Sequence, residues 1–169
     1  MPFVPPPVDD VLAALTERFG AVESSVERGQ TRIVVADDDA FDVLGHLADA
    51  GFDLLVDVTC VDYLEYRGAR RRYGLVYLLA ATATNQRLTV RVFLDDPEPT
   101  IRSVVPIWPA ANWLEREVWD MFGIRFVGHP DLRRLMMPEE FTAHPLRKDY
   151  PLQGRGERHN FPVITRDHS

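Results

Sequence analysis

The sequence predicts an α+β fold: a two-layer sandwich in which helices cover a mixed sheet of about five strands, followed by an extended C-terminal arm. The expected element order is α-β-β-α-β-β-β-α. Three observations lead there. Two stretches before Gly51 place apolar residues at helical spacing. Runs between Ala21 and Leu94 carry the period-two, β-branched pattern of strands. After Gly123 periodicity disappears, although aromatic, charged and His-Pro residues remain dense.

Taken in order, Pro2 to Pro7 form a stiff lead-in, and Asp9 or Asp10 is placed to cap a first helix. Val11, Leu12, Leu15 and Phe19 make its apolar stripe, with Gly20 as its stop. Two strands follow, over residues 21–27 and 31–36, joined by a turn at Arg28-Gly29-Gln30. A second helix over 40–50, capped from Asp37 to Asp39, buries Phe41, Leu44, Leu47 and Ala48 and ends at Gly51. From Phe52 to Cys60, strict alternation turns Phe52, Leu54, Val56, Val58 and Cys60 inward, with Asp53, Asp57 and Thr59 outward. Residues 73–81 are apolar on both faces and read as a central strand. Over 87–94, Leu88, Val90, Val92 and Leu94 face in, and Arg87, Thr89 and Arg91 face out. The last helix precedes Gly123. Asn112 and Glu115 have capping-box spacing, Pro109 equally suits the first helical position, and Leu114, Val118, Met121 and Phe122 form the stripe.

Composition narrows the functional classes. A chain of 169 residues, 46% hydrophobic and 27% charged, fits one globular domain with an appended tail. The net charge of −7 argues against nucleic acid as the main partner, since phosphate binding is driven by Lys and Arg. Charge is uneven: residues 1–122 hold 11 basic and 20 acidic side chains, whereas residues 123–169 hold 8 and 6. Cys60 is the only cysteine, so it supplies neither a disulfide nor a Cys₄ metal or cluster site, and a reducing compartment is expected. The N-terminus lacks the basic and apolar regions of a signal peptide. The longest apolar run, residues 75–83, is far short of the roughly 20 residues a membrane span needs, so a soluble chain is expected.

Candidate chemistry is sparse. Glu115, Glu117 and Asp120 crowd the last helix, but no histidine joins them at metal-binding spacing. A solvated or partner-facing helix surface is the simpler reading, with Arg116 and Asp120 spaced to pair at i,i+4. His129-Pro130-Asp131 and His144-Pro145-Leu146-Arg147-Lys148-Asp149 combine imidazoles with carboxylates. A free-standing metal hydrolase would use Glu115, Glu117, His129 and His144, yet an extended segment offers such ligands no scaffold. There is no Walker A sequence, no complete dinucleotide fingerprint and no serine in a GxSxG context. Cys60 is expected to be buried and inert. Arg67 with Arg70, Arg71 and Arg72 reads as a solvated hairpin loop.

The tail is expected to start at Gly123, dividing the chain into a domain of residues 1–122 and an arm of residues 123–169. Pro130, Pro138, Pro145, Pro151 and Pro162 interrupt any long helix, and each biases its predecessor toward extended backbone. Phe126, Leu132, Leu135, Met136, Met137, Phe141, Tyr150 and Phe161 are too apolar for a free tail. An arm that orders on another subunit satisfies both constraints.

Glu115-Arg116-Glu117, Asp120-Met121-Phe122-Gly123-Ile124, Gly128-His129-Pro130-Asp131-Leu132-Arg133-Arg134 and His144-Pro145-Leu146-Arg147-Lys148-Asp149-Tyr150-Pro151 closely resemble the signature of the 30 kDa-type subunit family of respiratory complex I. Thr142-Ala143 stands where a glycine-containing version is expected. The resemblance implies a non-catalytic, peripheral-arm subunit of a proton-translocating NADH:quinone oxidoreductase, packed on the 49 kDa-type subunit near the quinone site. It also implies a place on the cytoplasmic face of the inner membrane with no span of its own. No cofactor is implied for this chain; NADH, FMN, iron–sulfur clusters and quinone belong to the complex. The partner-binding residues on this reading are Glu115, Arg116, Glu117, Asp120, His129, Pro130, Asp131, Arg133, Arg134, His144, Pro145, Arg147, Lys148, Asp149 and Tyr150. The alternative is the equivalent subunit of a related membrane-bound hydrogenase or other-donor dehydrogenase.

Overall fold

The computed structural model describes residues 5–69 and 71–156. Its elements are α1 (Val8–Phe19), β1 (Glu23–Glu27), β2 (Gln30–Val35), α2 (Ala40–Asp49), β3 (Leu54–Asp62), β4 (Tyr73–Ala81), β5 (Gln86–Leu94), β6 (Thr100–Arg102), α3 (Ala111–Phe122) and β7 (Arg125–Val127). Five strands form one mixed sheet in the order β1-β2-β5-β4-β3, with only β2 and β5 parallel. The expected α+β sandwich is therefore present. The short strands β6 and β7 pair in parallel as a separate ribbon. At three residues each they carry too little alternation to be read from sequence.

One parity of β2, β4 and β5 faces the core, whereas β1 is exposed throughout. Ile33 and Val35, Leu88 to Leu94 in steps of two, and Tyr73, Leu75, Tyr77 and Leu79 are all buried there with α1, α2 and α3. The opposite parity of β5 carries half-exposed Thr89 and Arg91, as expected for a sheet with one face toward solvent. β4 lies one strand from the edge, and its outward Val76 and Leu78 are half-buried. Between β1 and β2, Glu27 pairs with Gln30 across a two-residue turn. Arg28 and Gly29 both have positive φ, 52° and 76°, the primed geometry that matches strand twist.

β3 departs from the expected alternation. Its register shifts between Leu55 and Asp57, so Val56 is an extra residue in a bulge. Leu54 and Val56, expected inside, are 45% exposed, while Leu55, Val58, Cys60 and Asp62 are buried. Cys60 does face the core, and burial pushes its thiol up to about 12. α3 also starts differently. Its N-cap position is Ala110, with no side-chain cap, so Asn112 lies inside the helix. Trp108 and Pro109 carbonyls instead accept the first N–H groups, from Ala111 and Asn112. α1 similarly begins at Val8, with Pro7 rather than an aspartate at its N-cap.

The described part of the C-terminal segment folds back onto the domain. β7 joins the ribbon directly after the exit from α3 at Gly123, and residues 129–150 return along α3 to the β3–β4 end of the sheet. Among the described residues the chain continues from Gly123 into β7; residues 157–169 of the expected arm lie outside them.

A candidate interface organised by Asp120

α3 is apolar on the side that meets β3 and polar on the side that meets the returning chain. Expected as a solvated or partner-facing helix surface, Glu115, Arg116 and Asp120 are buried within the chain at 0%, 8% and 0% exposure, and only Glu117 is exposed. The reason is that each of the three finds polar partners from a different stretch of backbone. Asp120 Oδ2 accepts N–H groups from Leu135, Met136 and Met137 at 3.0, 2.7 and 2.9 Å. Its Oδ1 accepts from the Arg134 guanidinium. Burial alone would raise this carboxyl, but three N–H donors and Arg134 together hold it below the usual aspartate value.

Arg116 does not pair with Asp120. Its Nε and Nη2 donate to the Arg133 and Arg134 carbonyls, both at 3.1 Å, while its guanidinium lies over the Trp113 ring at 4.9 Å. Arg134 in turn donates to the Ala143 carbonyl at 3.0 Å. Glu115 faces the other way. It accepts the Ser103 hydroxyl and the Val104 N–H, each at 2.7 Å, and so fixes α3 to the loop after β6. Burial raises its pKa to about 7, and these two bonds oppose the rise.

The two His-Pro turns are set by backbone carbonyls of α3. His129 Nε2 lies 3.0 Å from the Asn112 carbonyl, and the Asp131 N–H donates to Nδ1 at 3.0 Å. That pattern requires the neutral tautomer with the proton on Nε2. His144 Nδ1 donates to the Asp120 carbonyl at 3.0 Å. Burial lowers its pKa. Gly123 makes this approach possible: φ is 78°, and a Cβ there would sit 2.5 Å from Arg147 Nη2 and 2.6 Å from His144 Cδ2. Arg147 Nε donates to the Phe122 carbonyl, and the Leu146 N–H to that of Met121 at 3.1 Å.

A second node closes the segment on the sheet. Asp62, buried at the end of β3, accepts Arg72 Nε and Nη2 at 3.1 and 3.0 Å and the Lys148 N–H at 2.8 Å. Arg72 also pairs with Asp96 and, at 3.0 Å, with Asp149. The expectation of a solvated basic loop is corrected here. Arg72 is 11% exposed in its side chain, and Arg71 pairs with Asp37 and Asp95. The cause is the convergence of Asp37, Asp62, Asp95, Asp96 and Asp149 on the β3–β4 turn. Arg67 is exposed, and Arg70 lies outside the described residues. Sequence reasoning missed Asp62, Arg72 and Ser103 as members of this site, and it gave Gly123 only the role of a helix stop. Of the first three, only Arg72 carried a signal, as part of the basic run.

The remaining candidates stay near the surface. Asp131 and Arg133 pair at 2.7 Å on an exposed flank, Pro130 is exposed, and Pro145 and Tyr150 are half-buried. Around them Trp113 and Met136 (59% exposed each), Val127, Leu135 and Leu146 form apolar points on the outer side of the segment. Glu115, Glu117, His129 and His144 are not brought together. Among the described residues no three His, Cys, Asp or Glu side chains are grouped to hold a metal, and no helix is long and apolar enough to cross a membrane.

Residues 33–156, which include both nodes, match the family model described as the respiratory-chain NADH dehydrogenase 30 Kd subunit. The NADH-quinone oxidoreductase C subunit of Trichlorobacter lovleyi is 42% identical over 153 residues, covering 87% of this chain and 93% of its relative. A solved trypsin-resistant fragment (1-134) of Nqo5 superposes with a TM-score of 0.68 at 32% identity, over 74% of this chain and 98% of that one. A chain in the membrane-bound sulfane sulfur reductase, an archaeal respiratory membrane complex, shares the fold at a TM-score of 0.76 and 22% identity, with 94% of each chain covered. This chain belongs to the family of the 30 kDa subunit of the respiratory-chain NADH dehydrogenase, complex I.

Proposed function

We propose that the chain is a non-catalytic subunit in the peripheral arm of a proton-translocating NADH:quinone oxidoreductase, on the cytoplasmic face of the membrane. There it supports the 49 kDa-type subunit near the quinone site. The observation that carries the proposal is the extent of the family match, which runs from within β2 through β3, β4, β5, α3 and the returning segment. The chemistry of the site is in keeping with it. Asp120, Arg116, Arg134 and Asp62 are all consumed by bonds within the chain, while the apolar points Trp113, Leu135, Met136 and Leu146 face outward. Aromatic and Met side chains beside arginines are the composition of protein interfaces. In this reading the chain holds no redox cofactor, and NADH, FMN, iron–sulfur clusters and quinone are handled by its neighbours.

Purification of the complex through a tag on this chain tests the proposal. Co-purification with the 49 kDa-type subunit and with NADH-dependent quinone reduction is expected; an active complex lacking this chain would refute it. The fold shared with the archaeal reductase complex raises a second reading, the equivalent position in a complex fed by another donor. Quinone reduction driven by hydrogen or another donor, but not by NADH, would favour that reading.

A further inference from the structure

The sheet face turned away from the helices carries a groove of about 800 Å³, lined by Val34, Asp37, Tyr63, Tyr66, Arg91 and Phe93 among others. Tyr63 is held in place over it. Gly74 in β4 leaves the space: a Cβ there would sit 2.7 Å from Tyr63 Cε2 and 3.3 Å from Phe93 Cε1. Phe93 meets the Tyr63 ring at a centroid distance of 6.1 Å, and Tyr66 meets it edge-on at 5.8 Å. The Tyr63 N–H donates to the Arg72 carbonyl at 2.7 Å. None of these three rings belongs to the core, since Tyr63 and Phe93 are half-buried and Tyr66 is 69% exposed.

Arg91 gives the groove its charge. It is half-buried, its Nη2 donates to the Tyr63 hydroxyl, and its guanidinium lies 5.4 Å from the centre of the Phe93 ring. In the strand register its neighbours on this face are Val34 and Val76. Among the described residues no carboxylate pairs with Arg91, whereas Arg71 on the same rim is met by Asp37 and Asp95. Glu23 also lines the groove, but Val34 stands between it and Arg91, a gap of two strand spacings or roughly 10 Å. A guanidinium framed by rings and aliphatic side chains gains most from a carboxylate that arrives with apolar neighbours of its own. A small molecule would be left largely in water beside the exposed Tyr66, whereas small-ligand sites bury most of their occupant. Tyr, Phe and Arg together are the composition of a protein interface.

We infer that this groove is a second docking surface, taking a segment of a neighbouring subunit that sets a carboxylate on Arg91 and apolar side chains against Tyr63 and Tyr66. That the occupant is a subunit of a complex rests on the function proposed above; its negative charge and apolar flanks rest on the groove. Arg91 and Val34 lie on the face away from α3, so this contact is separate from the one at Trp113 and Met136. The chain then meets its neighbours on two sides.

A photo-crosslinker at Tyr66 of the full chain, irradiated in the purified complex and read by mass spectrometry of the linked peptides, tests the inference. The expected product joins Tyr66 to a peptide of another subunit with Asp or Glu within a few residues of the linked position. Its yield should fall about tenfold in Arg91→Gln and be largely kept in Arg91→Lys, which retains the charge. Thermal melts of the isolated variants separate lost contact from lost fold: a drop in yield counts only with an unchanged melt, and if Arg91→Gln melts early, Arg91→Lys against Arg91→Met at matched stability decides. No cross-link from Tyr66 in a complex that contains the chain would overturn the docking surface, as would a product with a second copy of this chain. A linked peptide without an acidic residue, or a yield indifferent to the charge at Arg91, would overturn the acidic occupant. If the chain purifies with a different assembly, the functional proposal falls and the Tyr66 product in that assembly decides the groove; if it purifies with no partner, both fall.

Discussion

At the scale of single residues, Asp120 joins two parts of the chain by bonding to backbone rather than to a matching side chain alone. Replacing it by alanine strands three N–H groups and the Arg134 guanidinium together. Breaking a buried, hydrogen-bonded charge pair costs about 3–5 kcal/mol, so urea unfolding of Asp120→Ala should reveal a loss of that size as a lower midpoint, with little change in slope. The pH dependence has two opposing parts. Asp120 and Asp62 have folded values below their unfolded ones, so their stabilisation is full above the ordinary aspartate range and is lost as pH falls through the folded values. Glu115 is the reverse. Its value rises from 4.5 to about 7 on folding, so the native state loses stability as pH increases between those values, by on the order of 3 kcal/mol at most. Glu115→Gln should flatten the neutral limb of the stability–pH curve and leave the acid limb in place. Urea midpoints measured from about pH 3 to 8 check both signs.

At the scale of elements, the bulge in β3 separates what alternation can and cannot reveal. β4 and β5 follow their expected limits to within a residue, because the continuous apolar run of β4 and the period-two burial of β5 are both strong signals. β3 carries one residue too many, and nothing in its composition marks Val56 as the extra one. Deleting Val56 should therefore restore simple alternation, keeping Leu55, Val58 and Cys60 inside, and yield a folded chain. Deleting Thr59 should turn Cys60 and Asp62 outward, break the Arg72 node and unfold the domain. Far-UV circular dichroism with thermal melts separates the two. The fold-back of residues 129–150 was illegible for a related reason. Its partners are carbonyls and N–H groups of α3 and its own turns, which nearly every residue possesses, so side-chain identity gave no register. The motif residues themselves were legible, as were the two His-Pro turns, but their roles were not. Glu115 and Asp120 look like surface acids until the loop after β6 and the returning chain are brought against them.

At the scale of the whole molecule, one face of the sheet is filled by helices, and the returning segment secures α3 to the sheet through Asp62 and Arg72. Cutting the chain after Gly128 should leave the sheet and three helices but remove every partner of the Asp120 carboxylate. The product is expected to fold with reduced stability and to fail in assembly, readable by thermal melts and by co-purification. Gly123→Ala should act in the same direction with the full chain present, since its Cβ would displace His144 and Arg147. The bonds to α3 and β3 hold the segment within the chain, and on the function proposed its outward apolar residues would meet the partner. A photo-crosslinker placed at Met136, which is 59% exposed and anchored through its own N–H to Asp120, tests this most directly in intact membranes. A cross-link to the 49 kDa-type subunit, lost in Asp120→Ala, is the expected result; a probe at Met136 that finds no neighbouring subunit in an active complex would contradict it.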